Sequence, residues 1–240
     1  YHVSESDVAA VDRGYVGARS AAMMKRAKAT QKRRERAVEE KSCLLHNVER
    51  VGEVKLRTLS HPKQTLIRVS DARVRYGERV VCQGIAFELR QGDRLALVGR
   101  NGAGKSSVLK ALCGLCDALE GEVSIAGGLT LSYVPQETDG VLGSMDAFVR
   151  QNALDETLLK AILRNMDFGR ELFDAPLETL SQGQKKKILL AASLASPAHL
   201  YVWDEPLNYL DVFSRVQLER LIQRSAPTCL LYTSDAADDK

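Results

Sequence analysis

The sequence predicts an α/β fold, a mixed domain with its chemistry at strand-to-helix junctions, preceded by a long basic helix. Three observations carry this. Short apolar or alternating stretches such as "TLIRVSDARVRY", "RVVCQGIAFELR" and "RLALVG" are separated by turn residues and followed by helix-forming segments. A glycine-rich loop, "GRNGAGKSS", lies between an apolar strand and a helix. Residues 16–51 lack Pro and interior Gly and are rich in Ala, Met, Lys, Arg, Gln and Glu, which favour helix.

The N-terminal stretch is expected to be one helix. Its apolar residues Met24, Val38, Leu45 and Val48 follow a heptad-like spacing that breaks at Gln31 and Arg34, so it would pack on one partner helix. Formal charge is only +3, yet between residues 19 and 36 the cations Arg19, Lys25, Arg26, Lys28, Lys32, Arg33, Arg34 and Arg36 are opposed by Glu35 alone. Such a stripe suits a nucleic-acid backbone; a solvated charged face is the competing reading. No aromatic interleaving suggests base stacking.

The elements after "LSHPKQ" follow in order. Three strands lead to a helix from about Lys105, with strands again at "GEVSIAG" and "LTLSYVP". Helices are expected through roughly 145–166, another after Gln182, a strand at "HLYVWD" and a helix from Val212. No apolar run approaches the roughly 18 residues that cross a bilayer. The five cysteines, with no secretory h-region, suggest a reducing, cytoplasmic setting. The chain begins at Tyr1, so an upstream segment is expected.

Chemistry concentrates in a few motifs. Gly99, Gly104, Lys105 and Ser106 match the phosphate-loop spacing, in which inward backbone N–H groups and a helix N-terminus attract phosphates. Lys105 would reach the β- and γ-phosphates and Ser106 would ligate Mg²⁺. In "LYVWDE", Asp204 would hold Mg²⁺ and Glu205 would deprotonate an attacking water. A loop or helix cap is the ordinary reading of two such acids. In "LSQGQKKK", Ser181 and Gly183 open a helix and offer a further anion site.

With these motifs in this order, residues 63–228 resemble the ATP-binding cassette family. The resemblance implies a phosphate-loop nucleoside-triphosphatase core with an antiparallel β subdomain and a small helical subdomain, acting as an ATPase with ATP and Mg²⁺. It implies that Gly99, Asn101, Gly102, Ala103, Gly104, Lys105, Ser106 and Ser107 hold the phosphates. Gln136 in "YVPQE" would bridge Mg²⁺ and water, Tyr76 in "VRYGE" would stack on adenine, and Asp211 in "LNYLD" falls at the family's D-loop. Ser181, Gln182, Gly183 and Gln184 would complete the ATP site of a second cassette. Gln182 stands where the family usually has Gly, and its side chain is expected to crowd or contact the partner's nucleotide.

A narrower resemblance is to the ABC-F proteins, tandem-cassette ATPases that bind ribosomes. It rests on "AAMMKRAK", "LSQGQKKK" and "WDEPLNYLDVFSR". It implies that residues 1–62 are part of an interdomain linker and that a second cassette lies upstream. Partners would be the 70S ribosome, through rRNA and P-site tRNA. The branch most similar protects ribosomes from lincosamides, streptogramin A and pleuromutilins. Three alternatives remain: the ATPase subunit of a membrane transporter, an ABC-F translation factor without a resistance role, and a ribosome-binding factor that is gated by ATP without being an enzyme.

Other features take ordinary readings. Cys113 and Cys116 in "CGLC" are read as helix core, Cys43 and Cys82 carry no evident role, and His46 and His61 are read as solvated. Lys185, Lys186 and Lys187 are read as a solvated helix face. Residues 229–239 read as the translation of a transposase adapter used in sequencing libraries, and residues 229–240 are expected to be non-native. On that reading Ser234, at the place where the family carries a γ-phosphate histidine, is no evidence that the histidine was lost, and "CLLYT" would fit at most a sheet edge.

Overall fold

The computed structural model describes residue 54 and residues 56–232. The predicted basic helix, His46, Cys43 and Ser234 lie outside the described residues.

Strands β1 (Thr65–Tyr76) and β2 (Arg79–Arg90) form an antiparallel hairpin whose turn begins at Gly77. On β1, Ile67, Val69, Ala72 and Val74 are buried while Arg68, Arg73 and Arg75 face solvent. Strict alternation would put residues 69 and 72 on opposite faces. An irregularity at Ser70–Asp71, with Asp71 at φ 45°, restores the inward face. Strand β4 (Leu119–Ile125) joins the other edge of β1, giving the order β2-β1-β4.

The second sheet is parallel. It contains β3 (Arg94–Leu97), β5 (Leu131–Val134), β6 (Leu200–Asp204) and β7 (Cys229–Tyr232), in the order β3-β7-β6-β5. Neighbouring side chains of β6 serve opposite faces: Tyr201 and Trp203 enter one core, Leu200 and Val202 the other. This is why "LYVW" is apolar throughout rather than alternating.

The first core is closed by α2 (Met145–Gln151), α3 (Glu156–Asn165), α4 (Gln182–Ala195) and α5 (Val212–Ser225). The second lies between the two sheets and α1 (Lys105–Leu112). Side chains of Ser144, Asp155, Ser181 and Asp211 accept from backbone N–H groups at the starts of α2 to α5, which fixes where each helix begins. Short 3₁₀ turns at Arg170–Phe173 and Leu177–Thr179 connect α3 to α4.

Three sequence expectations are corrected. Strand β7 is not at a sheet edge: it is paired on both sides, by β3 and β6, with Cys229 and Leu230 fully buried. The interior slot asks only for extended backbone and apolar side chains, which "CLLY" supplies whatever its origin. The three lysines do not form a solvated face, because Lys186 and Lys187 are buried. Finally, α1 stops at Leu112, so Cys113 caps the helix and Cys116 follows it, both packed against the second core. Burial pushes the Cys113 thiol up to about 11, away from thiolate chemistry.

His61 is also more engaged than a solvated histidine. Its ring meets the His199 ring edge-on at 5.3 Å and lies within hydrogen-bond distance of the Gly127 carbonyl, 3.1 Å. Just before it, Thr58 bridges Ala198, and the Leu59 N–H donates to the Ala198 carbonyl at 2.9 Å. Among the described residues no helix is long and apolar enough to cross a membrane.

Candidate functional site

The loop leaving β3 turns through Gly99, Gly102 and Gly104 at φ 150°, 76° and 85°, a path that side chains with a Cβ rarely follow. It delivers Lys105 to the start of α1, where Nζ donates to the carbonyls of Gly99 and Arg100. Beside the loop lies a pocket of about 290 Å³, walled by Tyr76, Arg79 and Val81 as well as Gly102 to Ser107. Tyr76 is 51% exposed, and its hydroxyl donates to Ser107 Oγ at 2.8 Å, so the ring stands at the mouth of this pocket. Asn101 Oδ1 accepts from the Tyr232 hydroxyl at 3.2 Å.

At the end of β6, Ser106 Oγ donates to Asp204 Oδ1 at 2.9 Å, joining residues far apart in sequence. Asp204 is fully buried, and burial pushes its carboxyl up. Its Oδ2 is buried and makes no hydrogen bond of normal geometry, with the likewise unpaired Tyr133 hydroxyl beside it. A buried carboxylate oxygen left in that condition costs free energy unless something completes it. A serine hydroxyl and a carboxylate, beside a loop that attracts phosphate, form an oxygen set suited to Mg²⁺, a hard cation that keeps few protein ligands. The residues therefore fit this ion.

Glu205 follows directly, at φ 48° and 8% exposed. The left-handed turn separates it from Asp204, so that the two neighbouring acids do different things. Glu205 Oε2 accepts from Gln136 Nε2 at 2.8 Å and from Asn208 Nδ2. Two amide donors on one oxygen leave Oε1 for another partner. Asn208 was not recognised from sequence; its position three residues after Glu205, across a tight turn, is the signal that marks it.

Ser181 and Gln184 make a reciprocal capping box at the start of α4. Gly183 is pressed against the loop after β6: a Cβ there would lie 2.5 Å from the Tyr209 carbonyl oxygen. Gln182 Oε1 accepts from the Thr138 hydroxyl, so this side chain is engaged within its own chain. Among the described residues no hydrogen bond joins Ser181–Gln184 to residues 99–107. Asp211 caps α5 through the Ser214 N–H at 2.8 Å and pairs with Lys187 Nζ at 2.8 Å. Burial pushes its carboxyl up, but the Lys187 and Ser214 contacts outweigh that and hold it at about 2.

A glycine-rich loop between a strand and a helix, a buried strand-end acid and an α/β sheet that brings them together are the arrangement of a nucleoside-triphosphate-binding domain. The pattern of the ABC transporter family matches residues 82–208, more than half of the chain. The chain belongs to this family, whose ATP-binding domain hydrolyses ATP. Its fold is similar to that of a cobalt transport ATP-binding protein at 23% identity, 72% of each chain and a TM-score of 0.61. An ATP-binding subunit of an ABC transporter is 26% identical, over 72% of this chain and 81% of that one, at 0.60. A chain from the complex of an archaeal ribosomal stalk protein with archaeal ribosome recycling factor is 25% identical, also at 0.60. There the match covers 77% of this chain and 37% of that one.

Proposed function

We propose that this chain is one cassette of a two-cassette ATPase of the ABC-F type, acting on the ribosome. The observation that carries the catalytic part is the division of labour between two adjacent acids, Asp204 on Ser106 and Glu205 on Gln136. In this reading Ser106 and Asp204, with Gln136 nearby, would hold Mg²⁺, which when bound offsets phosphate charge. Residues Gly99 to Ser107 hold the phosphates and Tyr76 faces adenine.

Gln136 orients a water towards the γ-phosphorus, and Glu205 takes its proton as the new P–O bond forms and the bond to the β-phosphate bridge breaks. Products are ADP and phosphate. Ser181, Gln182, Gly183 and Gln184 serve the nucleotide of a second cassette, which explains why they stand apart from this chain's own phosphate loop.

Three features favour the ribosome as partner: the basic N-terminal stretch, "LSQGQKKK", and a small insert between Gln136 and Ser181. That insert holds only α2, α3 and two 3₁₀ turns. The similarity to a chain from a complex containing ribosome recycling factor agrees with this partner. Protection from lincosamides, streptogramin A and pleuromutilins is the finest form of the proposal. The second reading, a transporter ATPase subunit, is favoured by similarity to such a subunit.

Glu205→Gln in the full-length protein separates the two. With ATP it should sediment with 70S particles and accumulate there. Sedimentation free of ribosomes, or recovery with membranes, would refute the ribosomal reading.

A further inference from the structure

The first two turns of α4 carry a buried cation that the reaction outlined above does not use. Lys186 is 0% exposed, and Nζ donates to three backbone carbonyls: Pro135 at 2.9 Å, Asp204 at 3.0 Å and Gln136 at 3.4 Å. Those acceptors belong to two segments, the one bearing Gln136 and the one bearing Asp204 and Glu205. A buried ammonium needs every proton satisfied, and three carbonyls satisfy three. The lysine thus ties together two backbones that no strand pairing joins at that point, because the β5–β6 ladder ends at Val134 and Trp203.

One helical turn earlier, on the same face of α4, Gln182 accepts from Thr138, in the same segment as Gln136. The next residues reach the other way: Gly183 abuts the Tyr209 carbonyl and Lys187 pairs with Asp211.

We propose that Lys186 is a positioning residue for hydrolysis, fixing the Gln136 and Asp204 backbones so that the Gln136 amide meets Glu205, with Gln182–Thr138 as a second fastening of the same segment. The helix that serves the other cassette's nucleotide is thereby tied to this cassette's hydrolytic groups. Lys186 touches neither phosphate nor attacking water, so it acts on geometry alone. The inference rests on the catalytic reading of Gln136 and Glu205.

The test is single-turnover ATP hydrolysis by the full-length protein, with protein in excess, beside binding of a fluorescent ATP analogue and thermal unfolding. Variants are Lys186→Met, Lys186→Arg, Lys186→Gln, Thr138→Val and Glu205→Gln. Misplaced catalytic groups cost up to about a hundredfold in rate. Lys186→Met should slow hydrolysis about ten- to a hundredfold, with analogue affinity changed less than about threefold. Arg should recover part of the rate, and Thr138→Val should lose about two- to fivefold.

Hydrolysis by Lys186→Met within about twofold of wild type overturns the proposal. So does a proportional fall in rate and affinity, or unfolding of all three Lys186 variants, since each makes the lysine a packing residue. If Glu205→Gln hydrolyses ATP like wild type, the catalytic reading itself fails, whatever Lys186 does.

Discussion

Gly183→Ala sets two effects of known sign against each other. Gly183 is the second residue of α4, after the Ser181 cap, and its backbone is not in the left-handed region. Helix propensity alone favours Ala over Gly by about 1 kcal/mol in a helix interior, and by less in a first turn. Against this, the added Cβ would stand 2.5 Å from the Tyr209 carbonyl oxygen. That neighbour is backbone, so it cannot swing away as a side chain would. Tyr209 is itself at φ 64°, in a turn leading to the Asp211 cap of α5.

Forcing extra volume into such a contact costs about 1–3 kcal/mol. The balance is a net loss of about 1 kcal/mol, which for a chain of this size lowers Tm by about 2–4 °C. Urea unfolding read by the buried Trp203 measures it. Gly140→Ala, where the new Cβ meets nothing within 4 Å, is the control and should stay within about 0.5 kcal/mol of wild type. If Gly183→Ala is as stable as wild type or more so, propensity has won and the close approach does not constrain the protein.

Three further outcomes follow from the site. Glu205→Gln should lower ATP hydrolysis by about 10²–10⁴-fold in a phosphate-release assay, while its amide oxygen still accepts from Gln136 and Asn208 and folding is retained. Ser106→Ala should weaken analogue binding in the presence of Mg²⁺ and leave binding in EDTA nearly unchanged, since it removes a proposed ion ligand and one partner of Asp204. Asp211 is held below its ordinary value in the folded chain, so its stabilisation is present above the unfolded value near 3.8 and fades as pH falls towards about 2. Asp211→Asn should therefore unfold with a shallower acid limb between about pH 4 and pH 2 in denaturation monitored by circular dichroism.

Much of the site was legible in the sequence because it is local. Glycines at fixed spacing between a strand and a helix bend a loop by short-range sterics, so residues 99–107 announce themselves without knowledge of the rest. The start of α4 is equally local, since Ser181 and Gln184 cap each other across three residues. The lysine run was misread for the opposite reason. Three consecutive cations look like solvent-facing residues, and nothing within "KKK" says that the middle one will point at three carbonyls from distant segments.

By itself, then, the sequence determined where strands, helices and the phosphate loop fall, because periodicity and turn chemistry act within a few residues. Strand order came only with the tertiary structure, and with it the meetings of Ser106 with Asp204 and of Gln136 with Glu205. It also placed "CLLY" inside the sheet rather than at its edge. Those pairings join residues tens of positions apart, and their partners are selected by which sheet faces can be buried together, a property of the packed whole that no local pattern encodes.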